Sequence, residues 1–306
     1  MCIRDSISLN VSIGKVLVTE CAGDAYELHP RLGGVRLDST DAQEEGTVVD
    51  VLLTGDGAAF SAAEQSAIWS RYNKTKKRVD EVCYSDWNGL RVIDADNFQN
   101  YCARECAADA RAKGLTPVLQ SDLEEASAEA QTLRTKLELA GINLRAGKRQ
   151  VPIYWVEFAD DEDHTPVQCR GKLDQLDGWV IRDLKKVASL QNGRLSRACY
   201  DYGWDIQLAA YRRGVEQITG EYGRYRCEWA FVRTGKLPSA RKVTPDVYRM
   251  ELGERRWRLA VNKWSACMKA GLFPGYELDP LSLTVEPWMA ERVGELEVAA
   301  FENEGS

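Results

Sequence analysis

Gly171-Lys172-Leu173-Asp174-Gln175-Leu176-Asp177-Gly178-Trp179-Val180-Ile181-Arg182-Asp183-Leu184-Lys185 is the stretch that decides how this 306-residue chain reads. Val167 to Leu173 forms one strand candidate and Gly178 to Val187 another, with Asp177-Gly178 making a hairpin-like turn between them. Asp174 ends the first strand. Asp183 and Lys185 lie two apart on the second, so their side chains share a face. The turn brings Asp174 alongside them, and two carboxylates and an ammonium converge. Carboxylates are hard oxygen donors suited to Mg²⁺ or Mn²⁺. A metal ion there can polarise a phosphodiester, activate water and stabilise the leaving oxygen. A lysine adds a point charge that positions the nucleophile or neutralises charge on the phosphorus. The simpler alternative, ordinary charges on a half-exposed hairpin with Lys185 pairing Asp183, stays open on these residues alone.

Upstream, Val151 to Phe158 is rich in β-branched and aromatic residues and reads as a strand. If Val156 and Phe158 face the core, Glu157 faces the opposite side and becomes a candidate third catalytic carboxylate. Downstream, Ser196 to Ile218 is an amphipathic helix, with Trp204, Leu208, Tyr211 and Val215 at helical spacing. Tyr225 to Val232 is a further strand, and Leu252 to Ala270 is a closing helix stopped by Gly271 and Pro274. Residues 40 to 140 read mainly as helix. Asn97 to Lys113 is Ala-rich and stops at Gly114 and Pro117, and Ser121-Asp122-Leu123-Glu124 has the spacing of a capping box for a helix to Ala140. Helices, three strands, helix, strand, helix make an α/β core with a helical N-terminal elaboration.

Composition bounds the rest. Hydrophobic residues are 44% and charged residues 28%, as in ordinary globular proteins. No run is apolar for long enough to cross a bilayer. Met1 to Asn10 lacks the pattern of a secretory signal, and Met1 to Ser6 carry no weight in the fold. Nine cysteines include no C-x-x-C pair, and Cys102 and Cys106 have no further ligands at zinc-like spacing. Reduced thiols in a cytoplasmic protein fit better. His29 and His164 are far apart and belong to no Ser/His/Asp pattern. His164 ends the acidic run Asp160-Asp161-Glu162-Asp163, read as a solvated loop rather than a cation site. No G-x-x-x-x-G-K-[ST] loop exists, which excludes an ATP-driven helicase. The net charge of −7 conceals a basic stretch: Arg224 to Lys269 holds twelve Lys/Arg against four Asp/Glu. That suits either a localised polyanion track or a solvated helix face. Arg241 and Lys242, beside Pro238, suggest a basic loop near a nucleic-acid path. Most of the nine tryptophans are core anchors, while Trp257, amid Arg255, Arg256 and Arg258, is a candidate for stacking on bases.

The G-x-x-D…D-x-K pattern, followed by a helix carrying Gln207-x-x-x-Tyr211, resembles the PD-(D/E)XK nuclease superfamily. It is most similar to the RecE-type (exonuclease VIII) exonucleases of phages and prophages, whose core is like that of lambda exonuclease and the RecB nuclease domain. The likeness extends to Leu28-His29-Pro30-Arg31-Leu32, Glu45 to Leu53, Asp86-Trp87, Lys113 to Leu119 and Trp264 to Tyr276, and so spans roughly residues 25 to 276. The resemblance implies a restriction-endonuclease-like α/β fold, with a mixed central sheet flanked by helices. It assigns Asp174 and Asp183 as metal ligands and Lys185 as the catalytic lysine, with Glu157 an acidic strand position that assists metal binding and Gln207 and Tyr211 lining the site against DNA. Asp50 stands at a helix position usually held by a metal-binding histidine. Little precedes His29-Pro30, so an incomplete N-terminus is expected. The expected layout is a leader of uncertain order (1–24), one nuclease domain (25–276: a helical portion to 147, an α/β catalytic core from 148) and an acidic tail (277–306). The expected activity is Mg²⁺-dependent exonucleolytic hydrolysis of linear double-stranded DNA from its ends, in phage-type recombination, with Mn²⁺ able to substitute and 5′ to 3′ polarity implied. Implied partners are DNA ends, a single-strand annealing protein and further copies of the chain in a ring; no membrane is implied. An inactive DNA-end-binding module with Asp50 as the sign of decay, and a structure-specific endonuclease, are the alternatives.

Overall fold

The computed structural model describes residues 7–35, 39–55, 67–73 and 78–277. Residues up to Pro274 form one compact unit, and Gly275 begins a second. Nearly all of the expected acidic tail lies outside the described residues.

The chain opens with β1 (Leu9–Asn10), α1 (Val11–Thr19) and α2 (Ala22–Leu28), followed by α3 (Asp41–Thr54). Leu9, Val11, Ile13 and Leu17 of this opening are buried in the main core. His29 closes it structurally, with Nε2 3.1 Å from the Ser8 carbonyl and Nδ1 accepting from Arg31 N. A capping box does form, but at Thr40 and Gln43 at the start of α3.

Next come β2 (Ala67–Asn73), β3 (Arg78–Trp87), β4 (Leu90–Asp94), α4 (Tyr101–Ala112), β5 (Thr116–Leu119) and α5 (Gln120–Leu139). The expectation of mainly helix over 40–140 is therefore corrected: β2-β3-β4-β5 make a four-stranded sheet of their own. Its central hairpin pairs Trp87 with Leu90 across Asn88-Gly89, both with positive φ. Asn-Gly is the sequence signal for that two-residue turn. The Ser121 capping box does not form, because α5 begins a residue earlier, at Gln120, without a side-chain cap.

The catalytic half runs β6 (Lys148–Phe158), β7 (Pro166–Asp177), β8 (Val180–Lys186), α6 (Asn192–Asp201), α7 (Trp204–Thr219), β9 (Arg226–Arg233), β10 (Ser239–Val243) and α8 (Val247–Ala270). β6, β7 and β8 form an antiparallel meander, β8 and β9 are parallel, and β10 closes antiparallel to β9. The expected single helix from Ser196 to Ile218 is two helices, broken at Gly203, which takes φ +60°. Arg241 and Lys242 lie on a strand rather than a loop.

One edge of β7 is shared. β1 pairs with it in parallel at Cys169 and Arg170, and β8 pairs with it only at Gln175, Leu176 and Asp177. Between these two ladders Gly171 to Asp174 line a fork in the sheet. Gly171 is required there: a Cβ on it would lie 2.8 Å from the Tyr211 ring and 3.2 Å from Val11 Cγ2. Helices α1, α7 and α8 cover this side of the sheet with the main core. Val49 and Leu53 of α3 and Leu133 and Leu137 of α5 pack on the other side, against Leu184, Ala230 and Val232.

Candidate active site

The fork gathers most of the residues that the sequence singled out. Asp174 does not end its strand, since β7 runs on to Asp177. Where β7 and β8 part, its Oδ2 accepts a hydrogen bond from Leu184 N at 2.9 Å, so the carboxylate bridges the gap that the backbones leave. Asp183 is fully buried, and Lys185 Nζ lies 2.6 Å from its Oδ2, as expected of residues two apart on one strand. That oxygen meets no donor in hydrogen-bonding geometry. The other, Oδ1, accepts from Gln207 Nε2 at 2.9 Å, and the same amide nitrogen donates to Tyr211 Oη at 2.9 Å. The Q-x-x-x-Y pair thus reaches the site one helical turn apart on α7.

Asp50 enters from α3. Its Oδ2 accepts from Gln150 Nε2 at 3.2 Å, while its buried Oδ1 has no hydrogen-bond partner. Gln150 holds φ +49°, a conformation costly for a residue with a Cβ. A polar cleft of about 570 Å³ opens beside Asp50, bordered by Thr47, Asn88, Gln150 and Lys172.

Electrostatics tie these groups together. Burial, with the charges of Asp183 and Asp50 adding to it against Lys185, raises the Asp174 carboxyl to about 7. Burial also raises Asp50, although Lys172 and Lys185 pull it back. For Lys185, burial favours the neutral amine, but Asp183, Asp174 and Asp50 outweigh it and hold the ammonium above its ordinary value. Burial and the Asp183 charge drive Tyr211 well above its ordinary value, so it stays a phenol.

A group the sequence reading missed comes from α1. Lys15 Nζ lies 3.4 Å from Gln207 Oε1, and burial and the Lys185 charge, opposed by Asp183, lower it to about 8. Its signal was a single lysine within the apolar run Ile13-Gly14-Lys15-Val16-Leu17-Val18.

Three expected residues fall elsewhere. Glu157 is buried, with Ile153 and Trp155, on the core face of β6, while Phe158 is exposed, the reverse of the assumed alternation. It accepts two hydrogen bonds from Arg213, at 2.8 and 2.7 Å, and one each from the indoles of Trp155 and Trp257. Its strand partner is Val167, seven residues from Asp174, about 23 Å along a strand. It anchors the packing of β6 on α7 and α8 and stands outside the site. Trp257 is fully buried in the same cluster, so it is a core anchor and not a stacking platform. The basic pair divides: Arg241 is in register with Phe231, which is in register with Lys185, whereas Lys242 is in register with Ala230. Arg241 therefore lies on the Asp183 face, with Nη1 bonded to the Leu190 carbonyl, and Lys242 on the reverse, 3.9 Å from Glu228. The acidic loop is engaged as well: Asp160 is held by Asn262 and Arg258, and Asp161 and Asp163 pair with Lys269 at 3.1 and 2.9 Å.

An oxygen-preferring divalent ion fits this donor set. Three crowded carboxylates, one raised to about 7 and another with a buried unpartnered oxygen, are what a cation would relieve. Among the described residues no three His, Cys, Asp or Glu are already drawn together around a metal position.

An antiparallel meander forked at a D…D-x-K cluster, with a parallel strand after the Gln-bearing helix, is a PD-(D/E)XK-like fold. Residues 94–278 match the family described as PDDEXK-like domain of unknown function (DUF3799), and the chain belongs to that family. A crystal structure of a proposed exonuclease from Eubacterium rectale shares the fold, with a TM-score of 0.56 at 15% identity over 92% of this chain and 91% of that one. A structure of SSO0001 aligns over 61% of this chain and 80% of that one at 8% identity, with a TM-score of 0.28. No curated protein matches the chain. Among the described residues no helix is long and apolar enough to cross a membrane.

Proposed function

We propose that this chain is a metal-dependent exodeoxyribonuclease that degrades linear double-stranded DNA from its ends, a RecE-type enzyme of phage-type recombination. The observation that carries the reading is the meeting of Asp174, Asp183 and Lys185 at the strand fork, joined by Asp50 from α3 and closed by Gln207 and Tyr211 from α7. A divalent ion held by Asp174, Asp183 and Asp50 would supply Lewis-acid polarisation of the phosphodiester and a water of lowered pKa. The protein's own part is geometric and electrostatic. Lys185, kept charged, orients the attacking water or offsets charge building on the phosphorus. Gln207 fixes the Asp183 carboxylate by a charge-assisted hydrogen bond. Tyr211, uncharged, keeps its hydroxyl against the Gln207 amide and adds no negative charge near a phosphate. Aspartate at position 50 offers Mg²⁺ a carboxylate oxygen where a histidine would offer an imidazole nitrogen.

The test is digestion of linear and covalently closed circular duplex DNA with Mg²⁺, with EDTA, and with an Asp183→Ala variant. Loss of the linear form alone, dependent on metal and on Asp183, is the expected result. Cutting of the closed circle would convert the reading to an endonuclease. Binding of duplex without cutting would leave the inactive DNA-end module.

A further inference from the structure

Lys15 reaches the site from the segment that sequence reading sets aside as leader, and its surroundings ask for an anion. Its aliphatic stem crosses the break between α6 and α7, where a Cβ on Gly203 would meet Lys15 Cγ and Cδ at 3.2 and 3.3 Å. The left-handed turn that splits the helix thus leaves the passage through which the amine arrives. An ammonium carries three donors. Among the described residues the Lys15 ammonium has one hydrogen bond, to Gln207 Oε1 at 3.4 Å, the long limit of such contacts. The residue is only partly exposed, and burial first, then the Lys185 charge, opposes protonation of Lys15 against the pull of Asp183. Two ammonium groups held in mutual repulsion beside a carboxylate cluster are stabilised together by one further anion placed between them.

We propose that Lys15 is a second phosphate-binding residue of this site, grasping a phosphate of the bound DNA strand beside the one that Lys185 serves. This rests on the nuclease reading above and assigns α1 a direct part in holding the substrate. The Gln207 bond gives Lys15 a fixed direction: with Oε1 turned to the ammonium, Nε2 is left for Asp183 and Tyr211.

The experiment measures affinity for a 30-base-pair blunt duplex, with Ca²⁺ replacing Mg²⁺, as a function of salt concentration. Each phosphate neutralised contributes about −0.9 to the slope of log affinity against log salt. Lys15→Met is expected to flatten the slope by about one, and Lys15→Arg to restore it. Lys15→Gln serves where the Met variant melts early. Lys269→Met, which removes a lysine paired with Asp161 and Asp163 of the acidic loop, is expected to leave the slope as in the wild type. An unchanged slope in Lys15→Met overturns the proposal. So does an equal flattening in Lys269→Met, which would show a general effect of charge rather than a phosphate held by Lys15. The readout is binding, so a protein that binds but does not cut still tests Lys15, whereas a wild type that fails to bind duplex at low salt overturns the nuclease reading and this inference together.

Discussion

Asp174 sits near 7 because burial and the charges of Asp183 and Asp50 oppose its ionisation more than Lys185 favours it. In an unfolded chain the same carboxyl ionises near 4. Between those values the folded protein holds a proton that the unfolded chain has released, so stability falls as pH rises through that window. The full penalty is present above 7 and absent below 4. Asp174→Asn is therefore expected to be more stable than the wild type at pH 8, by up to about 4 kcal/mol, and no more stable at pH 4, as read from denaturant midpoints at the two pH values. Saturating Mg²⁺ should cancel or reverse the difference at pH 8, because the wild type gains a bound cation that the variant holds poorly. Equal stability of the two proteins at pH 8 without metal would show that Asp174 does not carry the strain of the cluster. The same scale explains the Glu157 error. A glutamate between Val156 and Phe158 on a strand reads as solvent-facing by alternation, and only the Arg213 guanidinium and the indole N–H groups of Trp155 and Trp257 make its burial tolerable.

At the scale of elements, the meander and the D-x-K face were legible because each rests on local rules, β-branched patterning and a period of two, while the turn falls one residue later than expected, at Gly178-Trp179, with Asp177 paired to Val180. The second sheet was missed: its one local signal is the turn Asn88-Gly89, and β3 mixes Asp80, Glu81 and Asp86 with its apolar residues and does not alternate cleanly. The break at Gly203 was hidden because apolar spacing runs on through it. The fork itself depends on β1, two residues long, pairing far along the chain with β7, and no local pattern announces that. It also explains the glycine of G-x-x-D. Gly171→Ala would push a methyl into the Tyr211 ring at 2.8 Å, and that ring is held by Gln207. The variant should lose about 1–3 kcal/mol of stability and lose cleavage out of proportion, since moving Tyr211 also moves the amide that holds Asp183. A melting curve and single-turnover rates below the transition check both parts. A variant that melts early but cuts at the wild-type rate would show that the close packing serves the fold alone.

Across the whole compact unit, the first twenty residues carry more than their length suggests. β1 fills the edge of β7 beyond the fork, α1 packs on α8 and delivers Lys15, and Leu9 and Leu17 are completely buried. Removing them deletes four buried apolar side chains and exposes the surfaces they cover. At about 1.5–3 kcal/mol each, that loss is comparable to the whole stability of a typical domain, about 5–15 kcal/mol. A chain shortened to begin at Ala22 is therefore expected to show no cooperative thermal transition and no cleavage, whereas a dispensable leader would leave both intact. Circular dichroism melting of the two proteins decides between them. A shortened chain that melts cooperatively near the full-length temperature would mean that β7 keeps its edge without β1, and that Lys15 is dispensable to the fold. If that chain also cut DNA at the full-length rate, the fork would be complete from β7, β8, α3 and α7 alone. The expected collapse follows instead from the geometry of the edge: with β1 gone, Cys169 and Arg170 lose their ladder partners, Val11 no longer packs at Gly171, and the strand that carries Asp174 is left without a neighbour along that side up to Gln175.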